Sequence, residues 1–281
     1  MRNRIRIGGF LRVVLAFLLV AQAALFGSTA LAQSGSVKVE WLGWSAYRFT
    51  SPTGKVILTN PFFTGNPDAV VKLEEITKAD LILVPDGHGD EIGDTVALAK
   101  STGVRVVAAF ELGAWIASKG VPAAQVLRRN PGTRLLWEGI TIRIVGSVHG
   151  SGSGRATDSD TAPIYGGVAA GFIITFENGW TVYFPGSSSA TQDMALWAEA
   201  YKPDAMIFLM HSDGEPRDAG MAIKLVTTGN PNLKTLLPQH HRVTPPPGAL
   251  TVAEMRATLD AMGVRIPITN PAPRQVFEFT K

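Results

Sequence analysis

Short apolar runs of the length of buried strands fall in two successive clusters along this chain, each interleaved with stretches of helical spacing. The first cluster comprises residues 37–42, 46–50, 55–58, 81–84 and 104–109, and the second 135–137, 141–145, 171–176, 180–184, 205–210 and 235–237. Continuous apolar runs bounded by turn residues suit strands covered on both faces. Helical spacing occupies 92–101 and 112–119 in the first cluster, with Gly103 and Gly120 as C-terminal stops. In the second cluster it occupies 192–201, 218–228 and 252–262. Two β-rich halves, each with helices, predict an α/β chain of two packed sheets with helices on their outer faces. No linker divides it. Residues 150–161 are Gly/Ser-rich and read as a mobile loop beside a site or as an ordinary surface excursion. Thr244-Pro245-Pro246-Pro247-Gly248 reads as a stiff connector into the last helix.

The first 32 residues resemble a secretion signal rather than part of that fold. Arg2, Arg4, Arg6 and Arg12 form a basic start, residues 13–26 an apolar core, and Ala30-Leu31-Ala32 a small-residue cleavage site before Gln33. The core is short for a membrane span, although an uncleaved anchor is the alternative. The expectation is a signal peptide over 1–32, a single domain over 33–281, export to the periplasm, and no membrane contact after cleavage. Charge must be read accordingly. The full chain has 26 basic and 23 acidic residues. Removing four arginines leaves 22 against 23, a net charge of −1 that gives no support for nucleic-acid binding. Nor is there a basic stripe interleaved with aromatics. Oligomeric state is not legible here.

The chain contains no cysteine. Thiolate nucleophiles and cysteine metal sites are thereby excluded, and any metal must be held by histidine and carboxylate. The five histidines are His88, His149, His211, His240 and His241, each at or just beyond the end of an apolar run. Strand ends along one rim are where α/β folds commonly bind ligands. The run at 81–84 leads into Pro85-Asp86-Gly87-His88-Gly89-Asp90-Glu91. Side chains at 86, 88 and 90, separated by glycines that permit a tight turn, can converge on a cation. The same residues also suit a polar turn in which Asp90 or Asp94 caps the following helix. Ser187-Ser188-Ser189 lacks the glycine-flanked elbow of a serine nucleophile.

Further segments complete a pattern: Trp41-Leu42-Gly43-Trp44-Ser45-Ala46, Asn60-Pro61-Phe62-Phe63-Thr64-Gly65-Asn66-Pro67, Phe110-Glu111-Leu112, Tyr165-Gly166-Gly167, Tyr201-Lys202-Pro203-Asp204 and Pro238-Gln239-His240. With the loop at 85–91, these resemble the small metal-dependent hydrolases of the metallo-β-lactamase-fold superfamily, typified by a Trp-Leu-Gly-His-Ser start and a Thr-His-Gly-His-Gly-Asp-His loop. The resemblance spans most of residues 33–281. It implies a four-layer αβ/βα sandwich with one or two metal ions at the rim between the sheets.

Carried across by position, Asp86, His88 and His149 would form a first metal site, and Asp90, Glu91 and His240 a second. Asp90 would also orient the attacking water, and His211 would hold substrate or protonate a leaving group. Ser187 and Trp44 would contact substrate, while His241 would neighbour a ligand without being one. The chain departs from the family pattern at five places. Asp86 and Glu91 stand where the family has histidine, Ser187 where it has the bridging aspartate, Asn60 where it has aspartate, and Trp44 where it has histidine. Three histidines and three carboxylates suit zinc, with manganese or iron as harder alternatives. Loss of the bridging carboxylate favours one ion over two. The implied activity is hydrolysis of a small molecule by metal-activated water. The alternative is a degenerate member that keeps the fold and binds a ligand without catalysis.

Overall fold

The computed structural model describes residues 34–153, 164–210 and 215–281. The strands are β1 (Val37–Gly43), β2 (Ala46–Thr50), β3 (Val56–Thr59), β4 (Leu81–Leu83), β5 (Arg105–Ala108), β6 (Val126–Arg128), β7 (Arg134–Trp137), β8 (Ile140–Gly146), β9 (Gly152–Ser153), β10 (Ile164–Tyr165), β11 (Ala170–Thr175), β12 (Thr181–Phe184), β13 (Ala205–Leu209), β14 (Thr235–Gln239) and β15 (Val276–Phe279). The α-helices are α1 (Gly89–Ile92), α2 (Thr95–Thr102), α3 (Phe110–Ser118), α4 (Asp193–Tyr201), α5 (Pro216–Gly229) and α6 (Val252–Ala261). One sheet runs β15-β1-β2-β3-β4-β5-β6 and the other β14-β13-β12-β11-β8-β7. Both are mixed: β3 through β6 pair in parallel, as do β12, β13 and β14, and the remaining pairings within these two sheets are antiparallel.

The alternation of side chains along each strand builds the layers. Leu81 and Leu83 point into the core between the sheets, where they join Trp41, Phe49, Ile142, Phe172, Ile207 and Leu237. Ile82 and Val84 point the other way and pack with Leu98, Leu112 and Ile116 of α2 and α3. On the second sheet, Ile173, Met206, Phe208 and Leu236 face outward onto Met194, Ile223, Val226 and Met255 of α4, α5 and α6. A strand covered on both faces has no polar side to present, which is why the sequence runs are continuous rather than alternating. The result is the expected αβ/βα sandwich.

The helix expected over 92–101 divides into α1 and α2. Gly93 between them has φ +47°, and a Cβ there would lie 2.4 Å from the Pro61 carbonyl oxygen. Asp94 stands at the α2 N-cap, but its carboxylate makes no cap bond; it accepts from the backbone N–H groups of Phe63 and Thr64, both at 2.9 Å. The 85–91 loop is therefore tied to the segment after β3. Strands β6, β9, β10 and β15 lie outside the apolar runs read from sequence, being short or half-exposed edge pieces. The signal expected over 1–32, residues 154–161 of the Gly/Ser-rich stretch, and His211 lie outside the described residues.

Candidate metal centre

The rim between the two sheets is made by the ends of β1, β3, β4, β8, β12 and β14, which deliver Trp44, Asn60, the 85–91 loop, His149, Ser187 and His240 respectively. Three of these, Trp44 (φ +56°), Asn60 (φ +44°) and His240 (φ +54°), sit in the left-handed region. Such conformations are uncommon outside glycine and persist where the surroundings over-determine them. Here the Trp44 carbonyl accepts from the His240 backbone N–H at 3.1 Å and from the Trp41 indole at 2.9 Å. The turn after β1 and the end of β14 are thus held against each other. Gly87 is needed for a similar close approach: its N–H donates to Ser151 Oγ at 3.2 Å, and a Cβ there would lie 3.0 Å from the Ser151 carbonyl oxygen.

Among the described residues, the predicted ligands gather in two groups, Asp86, His88 and His149 in one and Asp90, Glu91 and His240 in the other. Within each, one possible ligand atom per residue lies within 4.8 Å of the others. In the first group, His88 Nδ1 is 3.1 Å from His149 Nε2 and 3.5 Å from Asp86 Oδ1. Asp86 is fully buried; its Oδ1 accepts the His88 backbone N–H at 3.0 Å, and its Oδ2 is buried without a hydrogen-bond partner. An orphaned oxygen on a buried carboxylate is costly unless something electropositive satisfies it. This group fits a divalent ion, with two nitrogen donors and one carboxylate as in known His/carboxylate sites.

The second group is arranged differently. Glu91 is buried, and its carboxylate accepts from Ser187 Oγ at one oxygen and from Asn60 Nδ2 at the other. Asp90 Oδ2 accepts from the Trp44 indole at 2.9 Å and lies 3.3 Å from His240 Nε2, which is also 3.4 Å from Glu91 Oε1. Trp44 meets His240 edge-on at 4.9 Å between ring centroids, and the Arg242 guanidinium lies over its face at 5.4 Å. So Trp44 and Ser187, expected to contact substrate, are engaged with Asp90 and Glu91. Asn60 has a direct part that the departures from the family pattern signalled without revealing. Four of the five exchanged positions, Trp44, Asn60, Glu91 and Ser187, belong to this one hydrogen-bonded set.

Electrostatics follow from burial. Desolvation lifts the Asp86 carboxyl to about 6, the charge of Asp90 adding to the rise while the His88 backbone and ring oppose it. Burial, then the charges of Asp86 and Asp90, push Glu91 well above the ordinary range against the Ser187 hydrogen bond. For Asp90 burial also acts upward, but the hydrogen bond and charge of His240 and the Trp44 indole prevail and hold it below that range. His241 is buried and stacked on Trp41 at 4.1 Å. Burial, with the neighbouring His240, pushes it down to about 4 against hydrogen bonds involving Pro238 and Asn270. As expected, it adjoins a candidate ligand and belongs to neither group.

The sequence matches the Beta-lactamase superfamily domain family over residues 55–267. The chain belongs to the metallo-β-lactamase-fold superfamily. Within the superfamily it is similar to UPF0173 metal-dependent hydrolases. One from Koribacter versatilis is 33% identical over 211 residues, 74% of this chain and 86% of that protein. Another, from Cupriavidus necator, is 32% identical over 258 residues, 88% of this chain and 87% of that protein. Among solved structures, the metallo hydrolase Igni18 from Ignicoccus hospitalis superposes with a TM-score of 0.71 at 23% identity, covering 88% of this chain and 100% of its own. The last likeness concerns the fold alone. The chain is thus a superfamily member whose relatives are named metal-dependent hydrolases.

Proposed function

We propose that this chain is an exported, periplasmic metal-dependent hydrolase that holds one divalent ion on Asp86, His88 and His149 and cleaves a small-molecule substrate. The observation that carries the one-ion reading is the contrast between the two groups. Asp86 Oδ2 is buried without a partner, whereas both oxygens of Glu91 are already taken by Ser187 and Asn60. Zinc suits two imidazoles and a carboxylate, and manganese or iron(II) is favoured by the added oxygen donor. A bound divalent ion would lower the pKa of water and polarise the scissile bond. Asp90, kept ionised by His240 and Trp44, is the carboxylate available to accept a hydrogen bond from the attacking water and orient it. Export rests on the basic, apolar and small-residue pattern of residues 1–32.

Elemental analysis of protein purified from its native compartment tests the reading. The expected result is close to one divalent ion per chain, lost in His88→Ala and His149→Ala and kept in His240→Ala. Two tightly held ions would overturn the single site. None, or turnover that persists in metal-free protein, would overturn metal-dependent hydrolysis and leave a fold that binds without catalysis. Sequencing of the processed N-terminus should begin at Gln33; an intact Met1 in a cytoplasmic fraction would refute export.

A further inference from the structure

Beside the rim lies a cavity of about 450 Å3, bounded by the second sheet and by α4 and α5. It shares His149 with the Asp86 group and Ser187 with the Glu91 group, so it is continuous with the metal centre rather than separate from it. Its apolar wall is formed by Met194, Met206, Leu209, Met221 and Leu250. An open cavity of this size falls in the range of small-molecule pockets. From this we infer that the substrate carries an uncharged apolar tail that occupies this cavity while its scissile group sits at Asp86, His88 and His149. The inference deepens the function proposed above and rests on the single-ion reading.

Three features select that tail. Three of the wall residues, Met194, Met206 and Met221, are methionines, unbranched and polarisable, which adapt to a flexible aliphatic or aromatic group better than to one rigid shape. Two of the three serines on the wall, Ser187 and Ser188, offer little to a polar ligand. Ser187 Oγ donates to Glu91, and Ser188 Oγ donates to the Ser189 carbonyl at 2.8 Å while accepting the Val148 N–H at 2.9 Å. Finally, Glu215 and Asp218, both exposed, also line the cavity, so a carboxylate- or phosphate-tipped tail would meet like charge.

Linear alkyl hydroxamates, a metal-binding head on a tail of two to ten carbons, test the inference by calorimetric titration of the purified zinc-loaded protein without requiring turnover. Each added methylene that enters an apolar site is worth roughly 0.8 kcal/mol, or about fourfold in affinity. A rise of about two- to fourfold per methylene is therefore expected until the cavity is filled. Ala219→Trp, and the milder Ala222→Leu should the first fail to fold, are expected to flatten that slope and leave acetohydroxamate affinity within about twofold. A tail ending in carboxylate should bind more weakly than its methyl-ended counterpart. If acetohydroxamate binds but affinity is independent of chain length, or the cavity variants leave the slope intact, the tail inference falls. If acetohydroxamate itself does not bind, the single-ion reading falls first and takes the inference with it.

Discussion

Restoring the family's aspartate at position 60 should be harmful in this chain, because Glu91 occupies the place where the family has histidine. Asn60 Nδ2 donates to a Glu91 oxygen, and both side chains are buried. Asn60→Asp replaces that donor with a second carboxylate. Two like charges about 4 Å apart at an effective dielectric near 20 repel by about 4 kcal/mol. Uptake of a proton by the pair limits the loss to about 1.4 kcal/mol for each unit by which the carboxyl's pKa lies below the pH, and burial already displaces Glu91 upward, so a net cost of about 2–4 kcal/mol, below the full repulsion, is expected. For a domain of this size each kcal/mol lowers Tm by about 2–4 °C. The drop should therefore be roughly 5–15 °C in thermal unfolding of metal-free protein at neutral pH. Adding Glu91→His should recover most of it, because an imidazole at 91 can donate a hydrogen bond to the aspartate introduced at 60 and removes the like charge. The double-mutant cycle should give a coupling of at least about 2 kcal/mol. A single-variant loss below about 0.5 kcal/mol, or additive losses in the double variant, would refute the claim that positions 60 and 91 exchange as a pair.

Three further perturbations probe the same rim. Ser187→Ala removes the hydroxyl donor to buried Glu91 and should cost about 1–3 kcal/mol in urea unfolding, the range for leaving a buried acceptor without its donor; an unchanged midpoint would count against that contact. Trp44→Phe removes the indole donor to half-exposed Asp90, where water can substitute, so a loss of about 1 kcal/mol with unchanged metal content is expected. Loss of the ion in that variant would show Trp44 to support the first group rather than the second. Gly93→Ala places a methyl 2.4 Å from the Pro61 carbonyl oxygen and 2.6 Å from Phe62 Cα at φ +47°, and should lower stability by about 2 kcal/mol or more. Wild-type thermal unfolding would mean the segment after β3 is not held against α1 as described.

The layered fold was legible because burial on both faces writes continuous apolar runs into the sequence, and β4 shows the rule at its shortest. Edge elements escaped it: β15, whose Val276-Phe277-Glu278-Phe279 alternates, is half-exposed and pairs only with β1. The break between α1 and α2 was also hidden, since it rests on Gly93 at positive φ packed closely against Pro61 rather than on helical periodicity. At the site, the 85–91 loop was readable from its own residues, because Asp86, His88 and Asp90 are local. Its arrangement with His149 and His240 came from the chain-wide resemblance. What neither supplied was the partner of each exchanged residue. The Trp44–Asp90, Asn60–Glu91 and Ser187–Glu91 bonds span 46, 31 and 96 positions, distances over which spacing carries no information.

The exchanges also have a direction in charge. Three neutral histidines around a divalent ion would leave a local charge of about +2, whereas Asp86 with His88 and His149 leaves about +1, a weaker Lewis acid that acidifies water less. Hydrolysis at such a centre depends more on a group that orients the water for attack. Asp90 is suited to that part as an ionised acceptor: His240 and the Trp44 indole hold it below the ordinary carboxylate range, which keeps it charged and makes it a weak base, and no bridging aspartate stands at 187. On the one-ion reading, then, Trp44 in place of histidine is more than a lost ligand. The indole supplies by hydrogen bonding part of the stabilisation that coordination would have given Asp90. It leaves that carboxylate ionised at the rim, near enough to Asp86 for the two charges to interact.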